Sequence, residues 1–398
     1  MSDTAGINIE KLVKRAGKIA ETLRERSSLC EELRQIPNES MEQLLGSGLF
    51  RALQPARYGG FEISIGEFLR VAEIIASGCG STGWIYAVVA MHQWQIGMFP
   101  AEAQEAVWGK NSDALASSSY VPSGIGKPTK GGYRLSGKWT FASGCDSTQW
   151  MILGGKIQTS TESEPEQVFF LVPKENYVIE DNWHVLGLSG TGSKTIVIND
   201  VFVPSYCVLS VKDASSGNPP GAIENDTPLF HIPFSSAIST CLCVPVLGMA
   251  QGTYDNFVSG LKTWTTRGAI TGAGRKVAEL STIQLRVAEA AASIDAARLL
   301  LMRGAAETMS AVRDGRQPET ALRVRTRRDH AFAVKLCVRA IDMLFEAAGG
   351  QGLYTDNFVQ RNWRDIHAAA KHISTNWDAV GSLYGRFVLG LDPEGGHF

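Results

Sequence analysis

From Leu280 to Val312 the chain contains no proline and a single glycine, Gly304, and Ala321–Ala348 contains neither. Nothing in these runs interrupts an i→i−4 hydrogen-bond ladder, so both read as long helices, and Phe358–Leu389 follows the same style. Helices of this length must bury an apolar face against one another. They carry more apolar positions than one bundle face needs, which points to association of several copies.

The start of the chain is also helical. Leu12, Ala16, Ile19 and Leu23 recur at helical spacing, and Met41–Leu49 and Ile65–Ala76 repeat the pattern, with Gln54–Gly60 as punctuation. From about residue 113 the texture changes. Tyr133–Leu135, Ser136-Gly137 and Lys138–Phe141 read as a β-hairpin with the turn at Ser136-Gly137. Trp150–Leu153, Val168–Val172 and Thr195–Ile198 are further strands, with Asn199-Asp200 as a turn before Val201–Pro204. A Gly/Pro/Ser/Asn-rich linker, Ser215–Pro228, precedes the long helices. The order helices (1–112), β block (113–212), helices (213–398) is an α+β layout and not an alternating βαβ one.

Several functions are disfavoured. A net charge of −2 argues against nucleic acid or an anionic membrane surface as partner. Apolar runs fall short of the ~18 residues of a membrane span, and the N-terminus lacks the apolar stretch of a signal peptide. Seven scattered cysteines without a CxxC suit a reduced, cytoplasmic protein with no zinc ribbon. Gly78–Gly83 spells GxGxxG, yet it follows a helical pattern where a dinucleotide site needs a strand. No GxxxxGK[ST], GxSxG or HExxH occurs, and His367 and His372, five apart, suit no shared metal. The basic run Arg323–Arg328 reads as a solvated helix face, with an anion site as the alternative.

Seven segments in order carry a family likeness: residues 44–60 (LLGSGLFRALQPARYGG), 79–94, 117–124 (SSSYVPSG), 131–150 (GGYRLSGKWTFASGCDSTQW), 185–204, 347–365 and the surroundings of His372. Over essentially the whole chain they resemble the acyl-CoA dehydrogenase fold. Within it they resemble the oxygenase components of two-component, reduced-flavin-dependent monooxygenases, and most of all those that ortho-hydroxylate a seco-steroid phenol. The resemblance implies an N-terminal helical domain (1–112), a middle β-barrel or sandwich (113–212) and a C-terminal four-helix bundle (213–398). It implies reduced FMN or FAD supplied by a separate NAD(P)H:flavin reductase, molecular oxygen as co-substrate, and a small aromatic, phenolic substrate hydroxylated through a C4a-hydroperoxyflavin in a homotetramer. An acyl-CoA dehydrogenase or oxidase is the alternative. That chemistry needs a glutamate base, whereas no Glu lies between Glu224 and Glu279, or between Asp365 and Glu394.

The same resemblance assigns roles. His372 faces the flavin and activates the phenol as base or acceptor, since histidine titrates near neutrality. The Ser143 hydroxyl meets flavin N5, and Trp139 is either a flavin wall or core. Thr191 and Ser193 lie on a Gly-rich loop near the ribityl and phosphate oxygens. Arg267 contacts the phosphate from a neighbouring subunit, and Gly350 and Gln351 touch the cofactor's far end across the interface. His92 and Tyr120 border the substrate pocket, with plain packing as the alternative reading. No metal is implied.

Overall fold

A computed structural model describes residues 8–157, 164–268 and 272–392. Six helices come first: α1 (Ile9–Glu25), α2 (Ser27–Leu33), α3 (Asn38–Gly46), α4 (Ile65–Gly78), α5 (Gly80–Ile96) and α6 (Ala101–Trp108). The stripe Leu12, Ala16, Ile19, Leu23 on α1 is buried as its spacing requires. Every residue of α5 is buried, so this helix is the axis on which the other layers pack. The glycines of the GxGxxG string serve that packing: a Cβ on Gly80 would sit 2.4 Å from Met249 Sδ, and one on Gly83 would sit 2.3 Å from Ala76 Cα.

Seven strands follow: β1 (Ala116–Thr129), β2 (Gly132–Ala142), β3 (Trp150–Ile157), β4 (Glu166–Pro173), β5 (Val178–Glu180), β6 (Lys194–Pro204) and β7 (Val208–Ser210). They form one sheet in the order β5-β6-β2-β1-β3-β4-β7, antiparallel except for the parallel β1–β3 pair. Two turns expected from sequence are absent. Ser136-Gly137 lies inside the continuous strand β2, and Asn199-Asp200 lies inside β6. The two dipeptides sit opposite one another at a register shift between Leu135 and Gly137. Asp200 takes φ +54° and donates its N–H to Ser136 Oγ at 2.9 Å. Turn-forming residues here build a β-bulge. The hairpin turn is at Lys130-Gly131, where Gly131 has φ +81°.

The C-terminal half contains α7 (Val211–Ala214), α8 (Phe234–Ala237), α9 (Thr240–Leu261), a hairpin of β8 (Thr265–Gly268) and β9 (Gly272–Lys276), then α10 (Ser281–Arg313) and α11 (Thr320–Ala348). It ends with α12 (Phe358–Ala369) and α13 (Trp377–Val388). Phe234–Leu261 is apolar enough by composition to span a membrane, but 83% of its most apolar window is buried inside the protein. It is a core helix, packed on α4, α5, α10, α11 and α12. Its all-round apolarity hides the 3.6-residue period that marks a surface helix, so sequence periodicity does not find it. The expected run Phe358–Leu389 is broken at 370–376. Thr375 turns its hydroxyl back to the carbonyls of Ala369 (3.1 Å) and His372 (2.9 Å), and Asn376 caps α13 by accepting from Ala379 N–H at 3.1 Å. His372 therefore sits in a turn and not on a helix.

Candidate functional site

At the end of β2 the chain turns sharply. Phe141 has φ +62°, and Ser143 N–H bonds back to Phe141 O at 2.9 Å. The turn presents the Ser143 hydroxyl to the loop before β6. Ser143 Oγ is 2.7 Å from Ser193 Oγ, Ser193 Oγ is 2.7 Å from Thr191 Oγ1, and Thr191 Oγ1 is 2.8 Å from Leu188 O. A carbonyl only accepts, so Thr191 donates to Leu188. Each hydroxyl has one proton, so Ser193 must donate to Thr191, and Ser143 to Ser193. Ser143 is left with lone pairs to offer. The structure thus joins Ser143 to Thr191 and Ser193, which lie about 50 positions further along the chain.

That loop is clamped from α12. Asp365 Oδ1 accepts the Leu188 N–H at 2.6 Å, where Leu188 holds φ +56°. Arg364 donates to Leu186 O at 2.8 Å, and both Arg361 and Arg364 pair with Glu31 on α2. Burial raises the Asp365 pKa to about 6, against the opposing pull of the Leu188 N–H.

Trp139 is a core residue and not a flavin wall. It is fully buried, donates Nε1–H to Gly154 O at 2.7 Å, and its ring fills the space above Gly124 and Gly137. Phe141 would share its face by strand alternation, but the positive φ throws it outward. It is 66% exposed and packs edge-on against Trp183 at 5.9 Å between ring centroids. An exposed aromatic pair beside a hydroxyl that can only accept suits a flat ring carrying an N–H, as reduced flavin does at N5. The residues present therefore fit the cofactor that the fold implies.

On the far side, α5 passes beneath the Ser143 turn, with Ile85 against Gly144. Trp84, Val88 and His92 share one face of α5 at four-residue spacing. His92 is fully buried, with Nδ1 2.7 Å from Ala116 O and Nε2 2.9 Å from Ser118 Oγ. Because the carbonyl only accepts, Nδ1 carries the proton and Nε2 accepts from Ser118. Burial lowers the His92 pKa to about 4, so this neutral tautomer persists. Tyr120 donates its hydroxyl to Gln95 Oε1 at 2.5 Å and packs edge-on to Phe169 and Phe234. His92 and Tyr120 thus lie together, with ring centroids 6.0 Å apart.

His372 stands near the other end of the stripe, 6.3 Å from the Trp84 ring. Its Nδ1 accepts the Ser374 N–H at 3.2 Å, so in the neutral ring Nε2 bears the proton. Its edge is open to solvent, yet the dense protein around it and then the Arg327 guanidinium lower its pKa to about 4. By this geometry the neutral His372 ring presents an N–H at Nε2, whereas the His92 ring presents Nε2 as an acceptor.

Gly350 and Gln351 lie on an exposed turn packed against α11 and α12. Arg267 is on β8, its backbone paired with Ala273; its side chain lies outside the described ones. Among the described residues no group of His, Cys, Asp and Glu could hold a metal ion. Ser118 and Phe141 are the residues that sequence reasoning missed. Two-residue alternation puts Ser118 on the same face as Tyr120, a signal that was available; the flip of Phe141 left none.

The N-terminal domain profile of acyl-CoA dehydrogenases matches residues 10–111, and their C-terminal domain profile matches 240–377. The chain is 42% identical over 393 residues to the oxygenase component of an FADH2-dependent resorcinol hydroxylase from Rhizobium sp., covering 97% of this chain and 95% of that one. The crystal structure of 3-HSA hydroxylase from Rhodococcus sp. RHA1 superposes with a TM-score of 0.91 at 38% identity, covering 96% and 97% of the two chains. XiaF from Streptomyces sp., solved with FADH2 and glycerol, superposes with a TM-score of 0.89 at 28% identity and 98% coverage of each chain. The same ordered fold, the full-length identity and a site shaped for reduced flavin lead to one conclusion: the chain belongs to the oxygenase components of the reduced-flavin-dependent monooxygenases, built on the acyl-CoA dehydrogenase fold.

Proposed function

We propose that the protein inserts one oxygen atom of O2 into a small phenol, beside its hydroxyl group, using reduced flavin delivered by a separate NAD(P)H:flavin reductase. Bound flavin supplies the activation of O2. The observation that carries the reading is the buried pair in which Ser118 donates to His92 Nε2 at 2.9 Å. A phenol docked on Ser118 Oγ passes its proton to that oxygen as the serine proton moves to His92. Charge left on the phenolate spreads to the ortho carbon and makes it nucleophilic. The phenolate also raises the basicity of the imidazole beside it, because opposite charges pair strongly in a poorly solvated site. His372 Nε2–H would be free to donate to an oxygen atom of a bound ligand, and Ser143, left with lone pairs, would accept from the N5–H of a reduced flavin.

The test is to mix protein and photoreduced flavin with ¹⁸O2 and a panel of phenols. One labelled oxygen in a catechol-type product is expected. Unlabelled or absent product from every phenol, with acyl thioesters reducing the oxidised flavin instead, would replace this reading by a dehydrogenase.

We read α9, α10, α11 and α12, which pack on one another, as a four-helix bundle that assembles the protein into a homotetramer. Leu285 and Leu299, 70% and 71% exposed on α10, support this. Light scattering is expected to give about four times the 43.0 kDa chain mass. Seven buried free cysteines support a cytoplasmic, reducing setting.

A further inference from the structure

The basic run on α11 divides by helix face. Arg325 pairs with Glu307, and Arg328 pairs with Asp329 at 2.5 Å, an aspartate that Arg303 also holds at 2.6 Å. Arg323 and Arg327, one turn apart on another face, have no carboxylate partner among the described residues. Arg323 donates to Ser235 Oγ at 2.8 Å on α8, and its Nε is buried with no acceptor. Arg327 makes no hydrogen bond or ion pair among the described residues, and its Nε too is buried without an acceptor. Ser236 Oγ, on the same short helix, is a third buried polar atom with no partner.

Partial burial lowers the pKa of both guanidinium groups, and no carboxylate among the described residues offsets it. Nearby, His330 Nδ1 bonds to Ser239 Oγ at 2.7 Å, and Arg327 acts on both His330 and His372 through its field. The segment thus brings together two cations without a carboxylate and one unpaired hydroxyl, near His372 on one side and, through Phe234 of α8 packed on Tyr120, near the His92 pair on the other. A carboxylate matches the planar fork of a guanidinium, and removing either charge from water is tolerable when the other receives it.

Resting on the phenol hydroxylase reading, we propose that Arg327, backed by Arg323 and Ser236, binds a carboxylate carried by the aromatic substrate, so that the preferred substrate class is a phenolic acid. The arginines would anchor the acid on the α11 side while the phenol hydroxyl reaches Ser118.

Calorimetric titration of the reduced-flavin-loaded protein under argon with 4-hydroxyphenylacetate and with its neutral amide tests this. The acid is expected to bind at least roughly tenfold more tightly. Arg327→Gln should bring the two within about twofold by weakening the acid alone, and Arg323→Gln should go part of the way. Arg327→Met should leave the melting temperature unchanged or higher, since it deletes an unpaired buried cation. Equal binding of acid and amide by the wild type would overturn the proposal, as would a large fall in melting temperature in Arg327→Met with an unchanged acid-to-amide ratio. Inorganic phosphate binding with the same Arg327 dependence, while the acid shows none, would overturn it in favour of a free-phosphate site. Labelled product from neutral phenols separates this failure from failure of the hydroxylase reading.

Discussion

The hydroxyl of Ser143 gives its proton to Ser193 across 2.7 Å, and the direction is set by a carbonyl two steps along the chain, Leu188 O. The reduced flavin ring has an N–H at N5 and the oxidised ring has none, so an oxygen with only lone pairs to offer distinguishes the two.

Ser193→Ala releases the Ser143 proton from this chain. The preference for reduced over oxidised flavin should fall roughly two- to tenfold, the worth of one ordered hydrogen bond. Ser143→Ala should lose at least as much. Anaerobic and aerobic titrations give the ratio, and a ratio equal to wild type would show that the proton order is irrelevant to binding.

Ser118→Ala leaves His92 Nε2 buried without a donor and removes the relay from substrate to imidazole. Product formation should fall by roughly 10²–10⁴, while flavin reoxidation continues and oxygen appears as hydrogen peroxide. The quantity to measure is product formed per oxygen consumed. Wild-type coupling in this variant would move proton acceptance back to His372.

Phe141 and Trp139 should separate cleanly. Phe141 is 66% exposed, so Phe141→Ala should change stability by no more than about 0.5 kcal/mol. It should still weaken flavin binding roughly tenfold or more, through lost apolar contact. Trp139→Ala empties a buried site and should cost about 3–5 kcal/mol. Denaturant melts beside flavin titrations check both; a Phe141 variant with normal flavin affinity would remove that ring from the site.

His92 and His330 are buried and lowered to about 4, mainly by burial, whereas unfolded histidine titrates near 6.5. Between those values the unfolded chain binds more protons, so stability is complete above pH 6.5 and is lost as pH falls toward 4. Each histidine contributes on the order of 3 kcal/mol to that loss. Asp365, raised to about 6, binds its proton more tightly in the fold and works in the opposite sense. Unfolding free energies of wild type and His92→Gln at pH 7 and pH 5 isolate one histidine. The variant should lose less on acidification, and an equal loss would contradict the assignment.

Much of the fold was written locally. A proline-free run has few alternatives to a helix, so α10 and α11 appear within a residue or two of their expected ends. The ordered motifs carried the family and its cofactor. What the tertiary structure decided were properties that need a second segment to exist. Ser136-Gly137 has turn chemistry, and it becomes a bulge because Asn199-Asp200 lies across the ladder from it. Trp139 and Phe141 share strand parity, but one positive φ, held in place by the loop packed on it, sends them to opposite surroundings. Two histidines of equal intrinsic pKa become an acceptor and a donor because one meets a carbonyl and the other an N–H. Four arginines in one short run divide into two paired and two unpaired, since a carboxylate from α10 or from α11 itself reaches Arg325 and Arg328 but not Arg323 or Arg327. Periodicity is a property of one segment, whereas proton direction and counter-charge belong to pairs, and only the folded chain brings the pairs together.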